Sequence, residues 1–441
     1  MRKNILSITI LYMLCLGLAI SSTPRAVFAE SPSEDELDYN DEEFLPASAR
    51  IAMQHSDLPT GDFVSMHPET ELQVLNSSQT EAIFQAMETY EAPQTSLVYN
   101  RSDYYYYYNH LDPLSKQIYD VMLEITKDPE DPGNWGLLYT ELNPESDEFF
   151  NAYGRAWIAM TYDHPELFWL YNFSEAEILF ASDLEKYHER YTVFFGISES
   201  YDNYETEMRA FNSAVEEFLS DIDQSGSQYE TVLQIHDKLI DLITYDDAVC
   251  DGGENEVQNL GHTAYGALVE DSWGNANYAV CDGYSLAFEY LLQQCGIPAI
   301  FMAGEGGMSY SEMGGHAWNM VNVDGVWYET DITWDDFGNT ENSLVPGMAG
   351  YDMFLEALHN DSYRNKIDHF LFLTSTDTIS HFVPKDNEWD YYASDGSRIS
   401  LVGECMHVRL NELETIDKDH PESAVIKLAP FAEGIFKEGG Q

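Results

Sequence analysis

The sequence predicts an α+β fold in which one helix packs on an antiparallel sheet. Apolar residues recur at three- and four-residue steps over Asp282–Gln294, a spacing typical of an amphipathic helix. Two strand-like runs, His316–Val323 and Val326–Trp334, flank Asp324-Gly325, which is a strong two-residue hairpin signal. Helix and strand patterns also alternate upstream, so we expect a mixed α/β N-terminal region before this core.

The first 29 residues have the pattern of a secretory signal peptide. Arg2 and Lys3 precede an apolar run from Ile5 to Ile20, and Val27-Phe28-Ala29 ends on a small residue suited to cleavage. We therefore expect residues 1–29 to be removed. The mature chain is then expected to be secreted, extracellular or held in the cell envelope.

Two regions are expected between the signal peptide and the core. Residues 30–98 are acidic and predict a flexible leader, with a helix only at Glu71–Tyr90. Residues 99–225 predict the mixed α/β region, and the tyrosines at 104–108 are expected to pack half-buried rather than to bind a ligand. Within it the patterns predict helices from Pro113, at Phe149–Met160 and at Tyr204–Ile222, and strands at Leu167–Phe173 and Tyr191–Ile197.

Charge and cysteine content limit the classes of partner. The formal net charge of −58 argues against nucleic acid and, once the signal peptide is gone, against anionic membranes. The mature chain keeps four cysteines, too few for a disulfide framework: Cys250, Cys281, Cys295 and Cys405. There is no paired C-x-x-C motif for zinc, and the calcium-loop-like Asp221–Gly226 has Val232 where the bidentate glutamate belongs. We expect no cofactor and no metal.

Three residues have the types and spacing of a nucleophilic site. Cys281 precedes the predicted helix, where unpaired amides and the helix dipole favour a thiolate. If Val323 pairs with Val326, His316 and Asp331 share one sheet face as diagonal neighbours about 7–8 Å apart. The carboxylate would orient the imidazole, and the imidazole would activate the thiol and later return its proton.

The motifs around these residues resemble a known family. C-D-G-Y-S, beginning at Cys281, is followed by G-H-A-W-N, D-G-V-W-Y and D-I-T-W-D-D. From about Tyr229 to Asp336 the chain resembles the transglutaminase-like superfamily, a branch of the papain-like Cys-His-Asp enzymes. The resemblance implies a papain-like catalytic domain at 226–385, with Cys281 as nucleophile, His316 as base and Asp331 as orienting carboxylate. Residues 386–441 would then be a C-terminal extension.

The resemblance implies attack on a carboxamide or peptide carbonyl of a protein or peptide, through a thioester that an amine or water resolves. The sequence leaves transfer and hydrolysis open, and it does not give the oligomeric state. The alternative is an exported binding module on the same fold with an idle triad. The glycine-rich segment Gly304–Gly315 is expected to be a mobile loop at the rim of the site, and Tyr265 is a candidate oxyanion donor.

Overall fold

The structure is a computed structural model. It describes residues 12–13, 63–64, 69–89, 104–126, 134–172, 175–181, 190–197, 204–246, 260–272, 274–307, 314–336, 369, 371–380, 389–392, 398–401, 406–413 and 420–437. Of the predicted signal peptide, only Tyr12–Met13 (β1) is described, and it pairs with Phe63–Val64 (β2). No helix among the described residues has both the length and the apolar character that crossing a bilayer requires.

The N-terminal region is built on a four-stranded mixed sheet. Its strands are β3 (Glu69–Leu75), β4 (Gly136–Thr140), β5 (Glu175–Ala181) and β6 (Tyr191–Ile197). Their order is β3-β5-β6-β4, and only β3 and β5 run parallel. Helix α1 (Ser77–Thr89) packs on this sheet, with the rings of Phe84 and Phe194 5.3 Å apart. The leader expected at 30–98 therefore contributes a strand and a helix, and the strand occupies the first part of the helix predicted at 71–90.

Four helices complete the N-terminal region: α2 (Tyr106–His110), α3 (Pro113–Ile125), α4 (Asp147–Asp163) and α5 (Tyr204–Ser220). Asp112 caps α3, because its carboxylate accepts from the backbone of Leu114 and Ser115. The strand predicted at Leu167–Phe173 is wrong, since Phe168–Asn172 forms a 3-10 helix. Leu167, Phe168, Trp169 and Leu170 are all buried. A short run that is apolar on every side does not distinguish a strand from a buried helical turn.

The second half of the chain is organised around one long buried helix. This helix is α8 (Cys281–Gln294), and two others precede it, α6 (Gln228–Leu242) and α7 (Ala264–Leu268). A short parallel pair joins β7 (Thr244–Tyr245), which follows α6, to β8 (Tyr278–Ala279), which precedes α8. A 3-10 turn, Leu260–His262, precedes α7. The helix α8 ends at Gln294, and Gly296 just beyond it has a φ of 79°, the left-handed conformation that commonly caps a helix. Ser227 and Glu230 form a capping box at the start of α6.

An antiparallel sheet faces that helix. Its strands are β9 (Ala299–Gly307), β10 (Gly314–Val323), β11 (Val326–Thr330) and β14 (Met406–Arg409), in the order β11-β10-β9-β14. The predicted hairpin register is confirmed, because Val323 pairs with Val326. Asp324 and Gly325 both have positive φ, as a tight hairpin turn of this kind requires.

The C-terminal residues complete this sheet and its core. Between β11 and β14 lie helix α9 (Thr376–Ile379) and a separate pair, β12 (Trp389–Tyr392) with β13 (Arg398–Leu401). After β14 come a 3-10 turn (Leu410–Glu412) and helix α10 (Pro421–Ile426). Val408, Val425 and Ile426 are buried in the same core as α8. The strand β14 and the helix α10, which lie in the expected C-terminal extension, thus belong to this sheet and its core.

One hydrophobic core joins the N-terminal helices to the second half of the chain. It runs from Tyr107 to Ala432. The hydroxyl of Tyr107 donates to the carbonyl of Phe301 in β9 at 2.6 Å, and the ring of Tyr162 lies 4.7 Å from that of Phe301. Tyr105 and Tyr107 are buried and Tyr106 and Tyr108 partly so, which confirms that the tyrosine run serves packing.

Candidate active site

Cys281 is the first residue of α8, as the sequence predicts. It is buried, and its sulfur is in the reduced thiol form. Two hydrogen bonds hold the first turns of this helix beside the elements that carry His316 and Asp331. Asn319 of β10 donates to the carbonyl of Ser285 at 3.0 Å, and Tyr284 donates to Asp336 at 2.8 Å. Because Ser285 and Tyr284 follow Cys281 within about one helical turn, these bonds fix the thiol-bearing end of the helix.

His316 and Asp331 are hydrogen-bonded, at 2.7 Å between Nε2 and Oδ2. The other carboxylate oxygen, Oδ1, accepts from the backbone of Thr333 at 3.0 Å and of Trp334 at 3.1 Å. Both side chains are almost fully buried. The ring of Trp334 stacks on the imidazole, with centroids 4.9 Å apart. With Nε2 facing Asp331, Nδ1 is the ring nitrogen of His316 on the side away from this carboxylate contact.

A second histidine shares the same carboxylate oxygen. His407 of β14 places its Nε2 2.7 Å from Asp331 Oδ2, and the rings of His316 and His407 lie 5.2 Å apart. Sequence reasoning missed this residue, because its place depends on a strand pairing that no local pattern indicates. Burial lowers the pKa of His407, which favours the neutral ring. We place its proton on Nε2, because the contact of Nε2 with the Asp331 carboxylate is shorter than the 3.2 Å contact of Nδ1 with the carbonyl of Ile379.

These contacts stabilise the ionised form of Asp331. Burial by itself opposes ionisation, but the charge and hydrogen bond of His316, together with those of His407, outweigh it. The pKa of Asp331 is therefore held well below its usual range. An ionised carboxylate at this position fixes the tautomer of His316 and stabilises the imidazolium that forms when it takes a proton.

Two glycines let the histidines meet across the intervening strand. In the sheet, His316 pairs with Gly304 of β9, and His407 pairs with Gly306. A Cβ on Gly306 would lie 2.9 to 3.1 Å from His316 ring and Cβ atoms, and one on Gly304 would lie 2.0 Å from the carbonyl oxygen of Val408.

The expectation of a mobile loop at Gly304–Gly315 is wrong for its five glycines, which all belong to strands β9 and β10: Gly304, Gly306, Gly307, Gly314 and Gly315. Residues 308–313, which connect these two strands, lie outside the described residues.

Replacing Gly306 with alanine is expected to displace the imidazole of His316 and to slow alkylation of Cys281. The reason is steric, because real Cβ atoms essentially never approach other heavy atoms as closely as 2.9 Å. The rate of alkylation by iodoacetamide measures the effect. Gly434→Ala is the matched control, since nothing lies within 4 Å of the Cβ it would add. Equal rates in both variants would contradict the close packing of the two strands.

The helix α8 contacts a position of β10 that alternates with the position of His316. Asn319, which contacts the helix, is three residues from His316, and side chains alternate between sheet faces.

Tyr265, the candidate oxyanion donor, lies in the core. Its ring packs against Phe168 and Phe211, and burial together with the nearby Glu207 and Glu270 raises the pKa of Tyr265 to about 12. These contacts place the phenol in the core beside carboxylates, which does not favour it as an oxyanion donor.

Two further histidines in the second half of the chain also contact carboxylates. His262 contacts Asp282, the residue after Cys281, at 2.7 Å, and both are buried. His369 contacts Asp237 at 2.7 Å. His381 lies outside the described residues. The only cysteines described are Cys281 and Cys295, both in the reduced thiol form.

A known family matches the part of the chain that carries Cys281, His316 and Asp331. Residues 216–332 match the model of the transglutaminase-like superfamily. This chain contains a transglutaminase-like domain. The matched range includes Cys281, His316 and Asp331 and ends before His407. The transglutaminase-like domain therefore takes its second histidine from a part of the chain beyond the family match.

Solved structures show a distant likeness. A TGase structure matches with a TM-score of 0.24 and 15% identity, over 37% of this chain and 52% of that one. A candidate cysteine protease from Cytophaga hutchinsonii matches with a TM-score of 0.21 and 16% identity, over 33% and 52%. The chain thus spans about half the length of each of these structures. Comparison with curated proteins gives no match.

Proposed function

We propose that this protein is a secreted acyl-transferring or hydrolytic enzyme in which Cys281, His316 and Asp331 act as a catalytic triad. The observation that carries the proposal is the ionised, buried Asp331 on Nε2 of His316, beside the helix that begins with Cys281. Burying a carboxylate is costly, and here hydrogen bonds from two histidines and two backbone amides offset that cost. Buried ionised groups with such specific partners are concentrated at functional sites.

The reaction follows from the roles of these groups. His316 Nδ1 takes the thiol proton, and the Cys281 sulfur adds to a carboxamide or peptide carbonyl. The tetrahedral intermediate collapses to a thioester as the imidazolium gives its proton to the departing amine. Water or a primary amine then attacks the thioester, with His316 as base once more, and the thiol is restored. Asp331 stays ionised throughout, and His407 holds the same oxygen, Oδ2, at 2.7 Å.

The substrate is a protein or peptide met outside the cell or in its envelope. A net charge of −58 favours substrates that carry basic groups near the reacting amide. An idle triad in a binding module is the second candidate, but the hydrogen-bonded Asp331, His316 and His407 have the arrangement that a working base needs.

Alkylation of the purified mature protein is expected to modify Cys281 and to spare Cys295 at neutral pH. Burial raises the pKa of the Cys295 thiol to about 11, so almost none of it is thiolate at pH 7. His316→Ala should sharply slow the reaction at Cys281. Peptide mapping after treatment with iodoacetamide measures both rates.

A glutamine-containing peptide separates enzyme from binding module. Ammonia release without added amine indicates hydrolysis, and incorporation of a supplied primary amine indicates transfer. Cys281→Ser should abolish both. Equal alkylation of Cys281 and Cys295, indifference to His316→Ala, and no reaction with any peptide would together favour the binding module.

A further inference from the structure

We propose that His236, Asp237 and His369 form a site for a divalent transition-metal ion of the Zn²⁺ type. It lies apart from the proposed triad, on α6 and the segment that precedes α9. The three ligand atoms, His236 Nδ1, Asp237 Oδ1 and His369 Nε2, all lie within 4.8 Å of one another. Two imidazoles and one carboxylate are a ligand set that suits Zn²⁺ with water in the fourth position.

The distances fit such an ion with small movements. Asp237 Oδ1 lies 3.0 Å from His236 Nδ1 and 2.7 Å from His369 Nε2. Tetrahedral ligands of Zn²⁺ are separated by about 3.3 Å, as bond lengths of about 2.0–2.1 Å dictate. Opening the two contacts of Asp237 by a few tenths of an ångström would bring them to this separation, and the two imidazole nitrogens lie within 4.8 Å of each other.

A buried carboxylate orients the first ligand in the manner of many zinc sites. His236 Nε2 lies 3.3 Å from Asp335 Oδ2, and both side chains are fully buried. Asp335 is itself held by the backbone amide of Leu371 at 2.9 Å. Histidines that bind metals usually donate their other N–H to a carboxylate, which fixes the tautomer and the ring orientation. With Nε2 facing Asp335, Nδ1 of His236 faces Asp237, and a metal ion can take the place of the proton between them.

Solvent reaches the site from one side. The side chain of His369 is 42% exposed and that of Asp237 is 37% exposed, while His236 closes the inner side. The ring of Phe372, 4.7 Å from that of His236, forms part of its wall. The strongly acidic chain also raises the local concentration of divalent cations. A metal ion can therefore enter without unfolding, and water can complete its coordination.

The ion would stabilise the turn that carries Asp331. Through His236 it is linked to Asp335, whose backbone amide donates to the carbonyl of Asp331 at 3.2 Å. The amide of Asp331 donates in turn to the carbonyl of Leu371 at 3.1 Å. Binding links α6 to His369. The role is structural and does not require the proposed triad to be active.

Titration of the chelator-treated mature protein with Zn²⁺ and Co²⁺ tests the site. Calorimetry should show one tight equivalent, the Co²⁺ form should show visible absorption typical of tetrahedral coordination, and the thermal midpoint should rise with metal concentration. His369→Ala and Asp237→Asn should remove that equivalent. Asp335→Asn should weaken binding by about 10–100-fold. His369 is exposed, so its replacement leaves the fold intact.

Two control variants decide where the ion binds. His407→Gln alters the other group of possible ligands among the described residues, His316, Asp331 and His407, and should leave the equivalent unchanged. The exposed His110, on α2, should also be replaceable without effect. Loss of binding in His407→Gln, retention in His369→Ala, or no tight equivalent in the parent protein would each overturn the proposal.

Discussion

Replacing Asp331 with asparagine is expected to lower turnover on the order of 10⁴-fold. The amide has one acceptor oxygen, which the backbone of Thr333 and Trp334 retains, so its NH₂ group faces Nε2 of His316 and of His407. His316 must then accept at Nε2 and carry its proton on Nδ1. A protonated Nδ1 cannot take the thiol proton. Ammonia release from a glutamine peptide measures the loss.

Replacing His407 with phenylalanine should lower turnover less than Asp331→Asn does. In His407→Phe the carboxylate of Asp331 keeps its bond to His316 and both backbone amides, so the tautomer of His316 is retained. The loss of turnover should therefore be much smaller than in Asp331→Asn. A similar loss in both variants would mean that His407 is itself required for proton transfer, contrary to the mechanism proposed above.

Acid unfolding of the Asp331→Asn variant supplies a test that does not depend on a substrate. The folded-state pKa of Asp331 lies below the ordinary value of 3.8, so its contribution to the free energy of unfolding is complete above that pH. The contribution is lost as the pH falls from 3.8 toward the folded-state pKa. Urea titrations should show a stability difference between parent and variant at pH 7 that shrinks below pH 3.8.

Replacing Arg409 with methionine is expected to destabilise the protein by about 3–5 kcal/mol. Arg409 lies on β14 and contacts Glu329 of β11 at 2.5 Å, and the side chain of Glu329 is fully buried. The same carboxylate accepts from Trp318 and Thr376, both at 2.8 Å. Without the guanidinium, a buried charge is left with only these neutral donors. Urea unfolding of the parent and the variant measures the difference.

A double variant measures how much of the stability lost in Arg409→Met comes from the unpaired charge of Glu329. Glu329→Gln combined with Arg409→Met removes both ions and should recover much of the stability lost in the single variant. The exposed pair Arg209–Glu205 on α5 is the matched control. Replacing Arg209 with methionine should cost about 0.5 kcal/mol or less, because surface ion pairs are screened by water. Equal losses at Arg409 and Arg209 would refute a buried ionic link between β14 and β11.

Local chemistry explains why the sequence predicted the His316–Asp331 pair. Asp324-Gly325 specifies a two-residue turn, such a turn fixes the hairpin register, and the register places both residues on one face. The helix from Cys281 to Gln294 follows similarly from its apolar spacing and from Gly296 at its end. Each of these inferences uses residues close together in the chain, where backbone geometry leaves few alternatives.

Tertiary structure alone brought His407 to Asp331 and assigned the glycines of β9 to a strand. The pairing of β14 with β9 joins residues about a hundred positions apart, and it depends on the packing of the whole core. Glycine in a sequence favours turns and loops, yet Gly304 and Gly306 are needed in a strand because neighbouring groups occupy the space of a side chain. The sequence determined the helix, the hairpin and the His316–Asp331 pair. The fold decided what surrounds them, because long-range pairing leaves no periodic pattern in the chain.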